Sequence, residues 1–153
     1  MDERLECRKN VNRGYRKLRT WQMAIELYAF LCEKVKEIPG SPYRLVAQIL
    51  DAGSSISANI AEGYCRRSLK EYLYFLNVAL ASAGEVYSRC YACYRAGQFS
   101  AITFDAIDEQ HYAMENALLR QIKSLQAKQR TGEWDDNLFF REDELTYILN
   151  QID

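Results

Sequence analysis

Residues 55–71 read Ser55-Ile56-Ser57-Ala58-Asn59-Ile60-Ala61-Glu62-Gly63-Tyr64-Cys65-Arg66-Arg67-Ser68-Leu69-Lys70-Glu71, one helix ending and another beginning. Ile56 and Ile60 stand four residues apart on one helical face, with Asn59 and Glu62 beside that stripe one turn from each other. Gly63 offers the left-handed conformation that commonly closes a helix. Ser68 followed three residues later by Glu71 is a capping box: the serine accepts from one orphan amide and the glutamate reaches back to another. Arg66 and Arg67 fall in the corner between the two.

Working outward, the first of these helices starts near Ser41-Pro42, with serine as the cap and proline at a position that loses no hydrogen bond. Its stripe is Leu45, Ile49, Ala52, Ile56, Ile60 and Gly63. Small residues from Ala52 to Ala58 let a neighbour approach closely and lower helix propensity, so tertiary contacts must hold the segment. The helix after the corner runs to Ala96 and stops at Gly97. Tyr72, Leu76, Ala79, Ala83, Val86, Cys90 and Cys93 form one seam; Leu73, Leu80, Gly84, Tyr87 and Tyr91 form a second. A helix apolar on more than one face wants burial on more than one face, which predicts a subunit interface along it.

Upstream, Leu18, Trp21, Ile25, Tyr28, Leu31, Val35 and Ile38 predict a helix from about Arg16 to Ile38, ended by Pro39-Gly40. Downstream, Phe104, Ile107, His111, Met114, Leu118, Ile122 and Leu125 predict a helix from about Thr103 to Gln129, closed by Thr131-Gly132. A short amphipathic helix is expected from Glu142 to Gln151, after a linker carrying Trp134 and Phe139-Phe140. The expected architecture is all-α: an antiparallel up-down four-helix bundle over 16–130, a basic segment 1–15 before it and an acidic extension 131–153 after it.

The 153 residues include only two prolines and seven glycines, which favours long helices over strands. Five cysteines, Cys7, Cys32, Cys65, Cys90 and Cys93, with no signal peptide, suit a reduced, cytoplasmic setting. The uncharged run Tyr72 to Gly84 is too short to span a bilayer. The net charge of −1 hides an asymmetry. Residues 1–20 carry seven Lys and Arg against three acids; residues 131–153 carry Arg141 against seven acids. A basic arm of this kind suits contact with an anion, although such runs are more often solvated faces, or pair with each other.

Catalytic chemistry is poorly served. His111 is the only histidine, and di-metal carboxylate bundles need two Glu-x-x-His pairs plus further glutamates. It reads as a core histidine hydrogen-bonded to a polar neighbour. Cys90 and Cys93 form a CxxC, but both fall on an apolar seam and behave as small hydrophobes. No phosphate-binding glycine loop or nucleophile elbow occurs. No metal, cofactor or catalytic residue is therefore expected. The corner Asn59, Glu62, Gly63, Arg66, Arg67, Ser68, Glu71 has two readings. It is a connector, with Asn59 and Glu62 bonding across helices, or an arginine-bearing corner that contacts phosphate, which guanidinium matches bidentately. Glu85 is expected to pair with an arginine of this corner or with a neighbouring subunit.

These residues resemble the four-helix-bundle family of the 23S rRNA intervening sequences, over about Tyr15 to Gln126. The resemblance rests on Leu18-x-x-Trp21-x-x-Ala24, on Gln48, on the 55–63 run, on Arg67-Ser68 with Glu71, and on Phe75-Leu76, Ala79, Ser82 and Glu85. It implies a four-helix bundle without enzymatic activity, assembled as a ring-like homo-oligomer, a homopentamer. Members lie in bacterial rRNA genes or stand alone. A related bundle serves diversity-generating retroelements as an accessory that binds reverse transcriptase and nucleic acid. Two features set this chain apart: Ala83-Gly84 stand where the family often has a leucine and a second acidic residue, and the acidic segment is longer.

The expected function is a non-enzymatic oligomeric adaptor for RNA, DNA or a nucleic-acid enzyme such as a reverse transcriptase. Its candidate contacts are Arg13, Arg16, Lys17, Arg19, Arg66 and Arg67. The alternative is a protein-only scaffold whose partner docks on the C-terminal aromatics or the ring face. Neither involves a membrane.

Overall fold

Three glycines take left-handed backbone, Gly40 (φ +71°), Gly97 (φ +72°) and Gly132 (φ +69°), and each stands just past a helical segment. The computed structural model describes residues 3–66 and 68–134. Between these stops it has four α-helices: α1 Arg19–Lys34, α2 Tyr43–Cys65, α3 Leu69–Arg95 and α4 Ala101–Thr131. Short 3-10 segments at Glu3–Glu6 and Val11–Lys17 precede α1, and another at Val35–Glu37 extends it. The expected helix 142–151, the aromatics Phe139 and Phe140, Arg67 and most of the acidic extension lie outside the described residues.

The helix ends follow local chemistry. Ser68 Oγ accepts the Glu71 amide at 3.2 Å and donates to the Glu71 carboxylate at 3.0 Å, so the capping box closes through the hydroxyl. Ser100 Oγ accepts the Thr103 amide at 3.0 Å and starts α4. At the other end of α4 the Gly132 amide bonds back to Lys128 O. Ser41 does not cap α2, contrary to expectation. It continues the Pro39-Gly40 turn at φ +38°, its amide bonded to Ile38 O, and Pro42 takes the cap position with no side-chain bond.

Short connections make neighbouring helices antiparallel, and each helix packs on two others: α1 on α2 and α4, α3 on α2 and α4. The chain is an antiparallel four-helix bundle. The first seam of α3 is buried throughout, as are the stripe of α4 and the α2 stripe from Ile49 to Gly63. On α1 the buried face is Thr20, Ala24, Leu27 and Leu31 rather than the expected Trp21-Ile25-Tyr28 row. Two apolar rows lie side by side on that helix, and the narrower one is central; Ile25 is left 37% exposed.

Gly63 also departs from expectation. It lies within α2, buried, and its φ is not positive. A Cβ there would stand 2.9 Å from Phe75 Cβ and 3.1 Å from Tyr72 O on α3. The glycine is needed because α2 and α3 touch there, not because the backbone turns. α2 instead ends at Cys65, where Arg66 goes extended (ψ 152°).

Candidate nucleic-acid interface

The up-down path brings three separate parts of the chain to one end of the bundle: the turn Val11–Lys17, the α2–α3 corner and the last turns of α4. A row of rings joins them. Trp21 meets Tyr15 at 5.4 Å, Tyr15 meets Tyr64 at 6.3 Å, Tyr64 meets Tyr72 at 6.1 Å, and Tyr72 meets Trp134 at 6.4 Å. Edge-on and tilted contacts at such spacing suit the ring quadrupoles. A polar relay runs alongside: Thr20 Oγ1 donates to Gln121 Oε1 at 2.6 Å, and Gln121 Nε2 donates to Tyr72 OH at 2.8 Å. It ties α1, α4 and α3 together at this level. The sequence reading missed both features; eleven tyrosines were the only signal.

The basic segment is seated on this end. Asn10 Oδ1 caps its turn through the Arg13 amide at 3.1 Å. Gly14 lies against the Tyr64 ring, where a Cβ would come within 2.8 Å of Cζ. Cys65 Sγ donates to Asn12 O at 3.3 Å. Arg13 Nη1 bonds Arg8 O at 3.1 Å and Arg16 Nη2 bonds Cys7 O at 2.9 Å, folding residues 7–10 back over the turn. Backbone carbonyls orient these guanidinium groups without neutralising them. Arg13 and Arg19 are exposed, Arg16 and Lys17 half-buried. Lys9, beside Glu6 at 2.6 Å, holds that carboxyl below its ordinary value.

Arg66 is placed differently. Its guanidinium pairs with Glu62, lies 3.8 Å from Glu71 and covers the Phe75 ring at 4.6 Å. Two carboxylates and a ring already hold it. Glu62 thus bonds within the corner rather than across helices. Asn59 likewise stays on its own helix, donating to Ser55 O at 2.8 Å and Ser55 Oγ at 2.9 Å. The crossing to α3 is made by Ser55 Oγ and Ser82 Oγ, 3.0 Å apart. Glu85 pairs with Arg89 one turn on, at 2.8 Å, and Arg89 reaches Gln48 Oε1 at 2.9 Å. Neither belongs to the corner.

The charges sort by end. Taken as the corner half of the bundle, residues 3–22, 59–66, 68–75 and 117–134 carry thirteen Lys and Arg against five Asp and Glu, a net of +8; at its border Leu5 and Arg19 share a groove with Met23, Glu26, Gln110 and Ala113. Residues 23–58 and 76–116 carry five against nine, a net of −4. Exposed Lys70, Arg120, Lys123 and Arg130 add to the Arg13–Arg19 group. The α4 residues were not among the expected contacts, because their basic character emerges only once α4 is seen to end here.

The rest of the bundle offers little chemistry. His111 Nε2 lies 2.7 Å from Ala83 O, 2% exposed, as a core histidine. Cys90 and Cys93 are buried and unoxidised, and burial, with Cys93 beside it, pushes the Cys90 thiol up to about 12. Among the described residues no three His, Cys, Asp or Glu side chains gather as a metal site, and no helix is long and apolar enough to cross a membrane.

No curated protein matches this chain. A solved structure from Bacteroides thetaiotaomicron, a protein of unknown function from the S23 ribosomal protein family, shares the fold with a TM-score of 0.54 at 24% identity. The match covers 74% of this chain and 99% of that one. The model of the 23S rRNA-intervening sequence protein family matches residues 16–120, more than two thirds of the sequence, and the chain therefore belongs to that family.

Proposed function

We propose that this protein is a non-catalytic, oligomeric adaptor whose corner end holds a nucleic-acid strand, RNA in the first instance. One observation carries the reading: the bundle's topology collects a net charge of +8 on one end while the remainder is net acidic. Phosphate neutralisation supplies most sequence-independent affinity for nucleic acid. Arg13, Arg16, Lys17 and Arg19 are the principal contacts, joined by Lys123 and Arg130 of α4. Arg66 contributes to the shape of the corner, since Glu62 and Glu71 already take its charge. In an oligomer several such ends act together, and avidity rises without new contacts.

The assembly is supported by what α3 leaves uncovered. Tyr87 and Tyr91 are each 40% exposed, Tyr74 63%, and Gly84 lies open between them. Gly84, Tyr87 and Tyr91 are the open part of the second seam, whose Leu73 is buried in the bundle and whose Leu80 packs half-buried against the core, and aromatic side chains are enriched where proteins meet. In the protein-only reading a partner docks on the C-terminal aromatics or on the ring face of that assembly, and the corner end binds nothing.

The test is fluorescence anisotropy of a labelled 20-nucleotide RNA at several salt concentrations. The wild-type affinity should fall steeply with salt. Reversing Arg13, Arg16, Lys17 and Arg19 to Glu should weaken binding at least tenfold and flatten the salt slope by roughly three units. Equal affinities and slopes, in a variant that melts like the wild type, would sink the proposal.

A further inference from the structure

The described chain ends in the middle of its own most positive surface. Trp134 rests 6.4 Å from Tyr72, and Lys128 Nζ lies 5.8 Å from the Trp134 ring. The Glu133 amide bonds back to Lys128 O at 3.2 Å, which fixes the direction of departure from α4. The nineteen residues that follow, 135–153, carry Asp135, Asp136, Glu142, Asp143, Glu144 and Asp153 against Arg141 alone. That is −5 delivered at a surface of +8. Nineteen residues span up to about 60 Å when extended, enough to reach any residue of an end about two helix diameters across. Two acids, Asp135 and Asp136, follow Trp134 directly, so reach is not even required of the whole segment.

We propose that the corner end is a docking surface for an acidic peptide, and that its occupant is the chain's own segment 135–153. The segment covers the Arg13–Arg19 group and the last turns of α4, and a polyanion must displace it. The structure supplies the complement: Arg13 and Arg16 are oriented by backbone carbonyls and form no ion pair among the described residues, Glu6 acting on Arg16 only at longer range, so their charge is open to an acidic partner. Tethering gives the segment a millimolar effective concentration, sufficient for a weak ionic contact to compete. A short nucleic acid at low concentration would lose to it; a long one, or several basic ends gathered in one assembly, would win.

The inference deepens the nucleic-acid reading in one respect and is independent of it in another, because peptide docking is measurable without RNA. The experiment uses the full chain and a full-chain variant with Asp135→Asn, Asp136→Asn, Glu142→Gln, Asp143→Asn and Glu144→Gln. Two probes are read by anisotropy: the labelled 20-nucleotide RNA, and a labelled synthetic peptide of residues 135–153. The neutralised variant should bind RNA about tenfold more tightly than wild type at 50 mM salt, with a steeper salt slope. The advantage should shrink by 300 mM, where the screening length falls to about 6 Å. The peptide should bind the neutralised variant, bind wild type more weakly, and lose its affinity when Arg13, Arg16 and Lys17 are reversed to Glu.

Peptide binding with no RNA binding by either chain would support the docking and sink the nucleic-acid function. RNA bound equally by both chains, with no peptide binding, would overturn the docking and leave the nucleic-acid function standing. Silence from both probes would overturn both.

Discussion

Gly63→Ala puts the α2–α3 contact to a direct test. The added Cβ would stand 2.9 Å from Phe75 Cβ, 3.0 Å from Tyr72 Cδ2 and 3.1 Å from Tyr72 O. Two of those atoms are fixed to the α3 backbone, so relief requires the helices to part. Overpacking of this kind costs about 1–3 kcal/mol, and rigid neighbours place it in the upper part, about 2–3. Alanine in a helix interior returns about 1 kcal/mol of propensity. The net loss should be about 1–2 kcal/mol, a fall of roughly 2–8 °C in Tm for a chain of this length. Gly63→Asn sharpens the argument. At a left-handed helix end asparagine is the better replacement; inside a helix against a close neighbour it is bulkier and the poorer helix former. Urea unfolding at one fixed protein concentration should rank glycine above alanine above asparagine. Asparagine equal to or better than alanine would refute the close-contact account and restore Gly63 as a stop.

Leu76→Ala and Ile56→Ala, each removing a side chain with 0% exposure, should each cost about 2–5 kcal/mol in the same assay; a loss under 1 kcal/mol would place those residues outside the core. Glu37 accepts from Thr103 Oγ1 at 2.5 Å and pairs with Lys34, and these hold its carboxyl below the ordinary 4.5. A lowered value means the contribution is complete above 4.5 and lost as pH falls through the folded value. Glu37→Gln should therefore be less stable than wild type at pH 7, the gap narrowing as pH falls below 4.5; a gap independent of pH would contradict the assignment. Ellman's reagent on the native protein should modify exposed Cys7 quickly and reach buried Cys90 and Cys93 only after denaturation; rapid modification of all five would show the bundle core open.

What the sequence disclosed follows from the range of the interactions involved. The Ser68–Glu71 cap, the Gly97 stop and the α3 and α4 stripes depend on residues three or four apart, and a linear reading reaches them. Gly63 does not: its role depends on Phe75 and Tyr72 twelve and nine residues away, around a corner. The α1 face was misplaced because Trp21, Ile25 and Tyr28 are bulkier than the Thr20, Ala24 and Leu27 that in fact face inward. The basic arm was legible as composition. Its meeting with Lys123 and Arg130 was not, since more than a hundred residues separate them until α4 returns to the starting end. Arg66 shows another limit of a linear reading: its pairing with Glu62 one turn earlier and Glu71 at the cap depends on how the corner folds.

The central claim is an oligomer whose basic ends carry nucleic acid. Native mass spectrometry of protein purified at low salt, with and without nuclease treatment, tests it most directly. The account predicts an oligomer carrying extra mass that nuclease removes; a species that is monomeric, or whose mass is the same with and without nuclease, would contradict it.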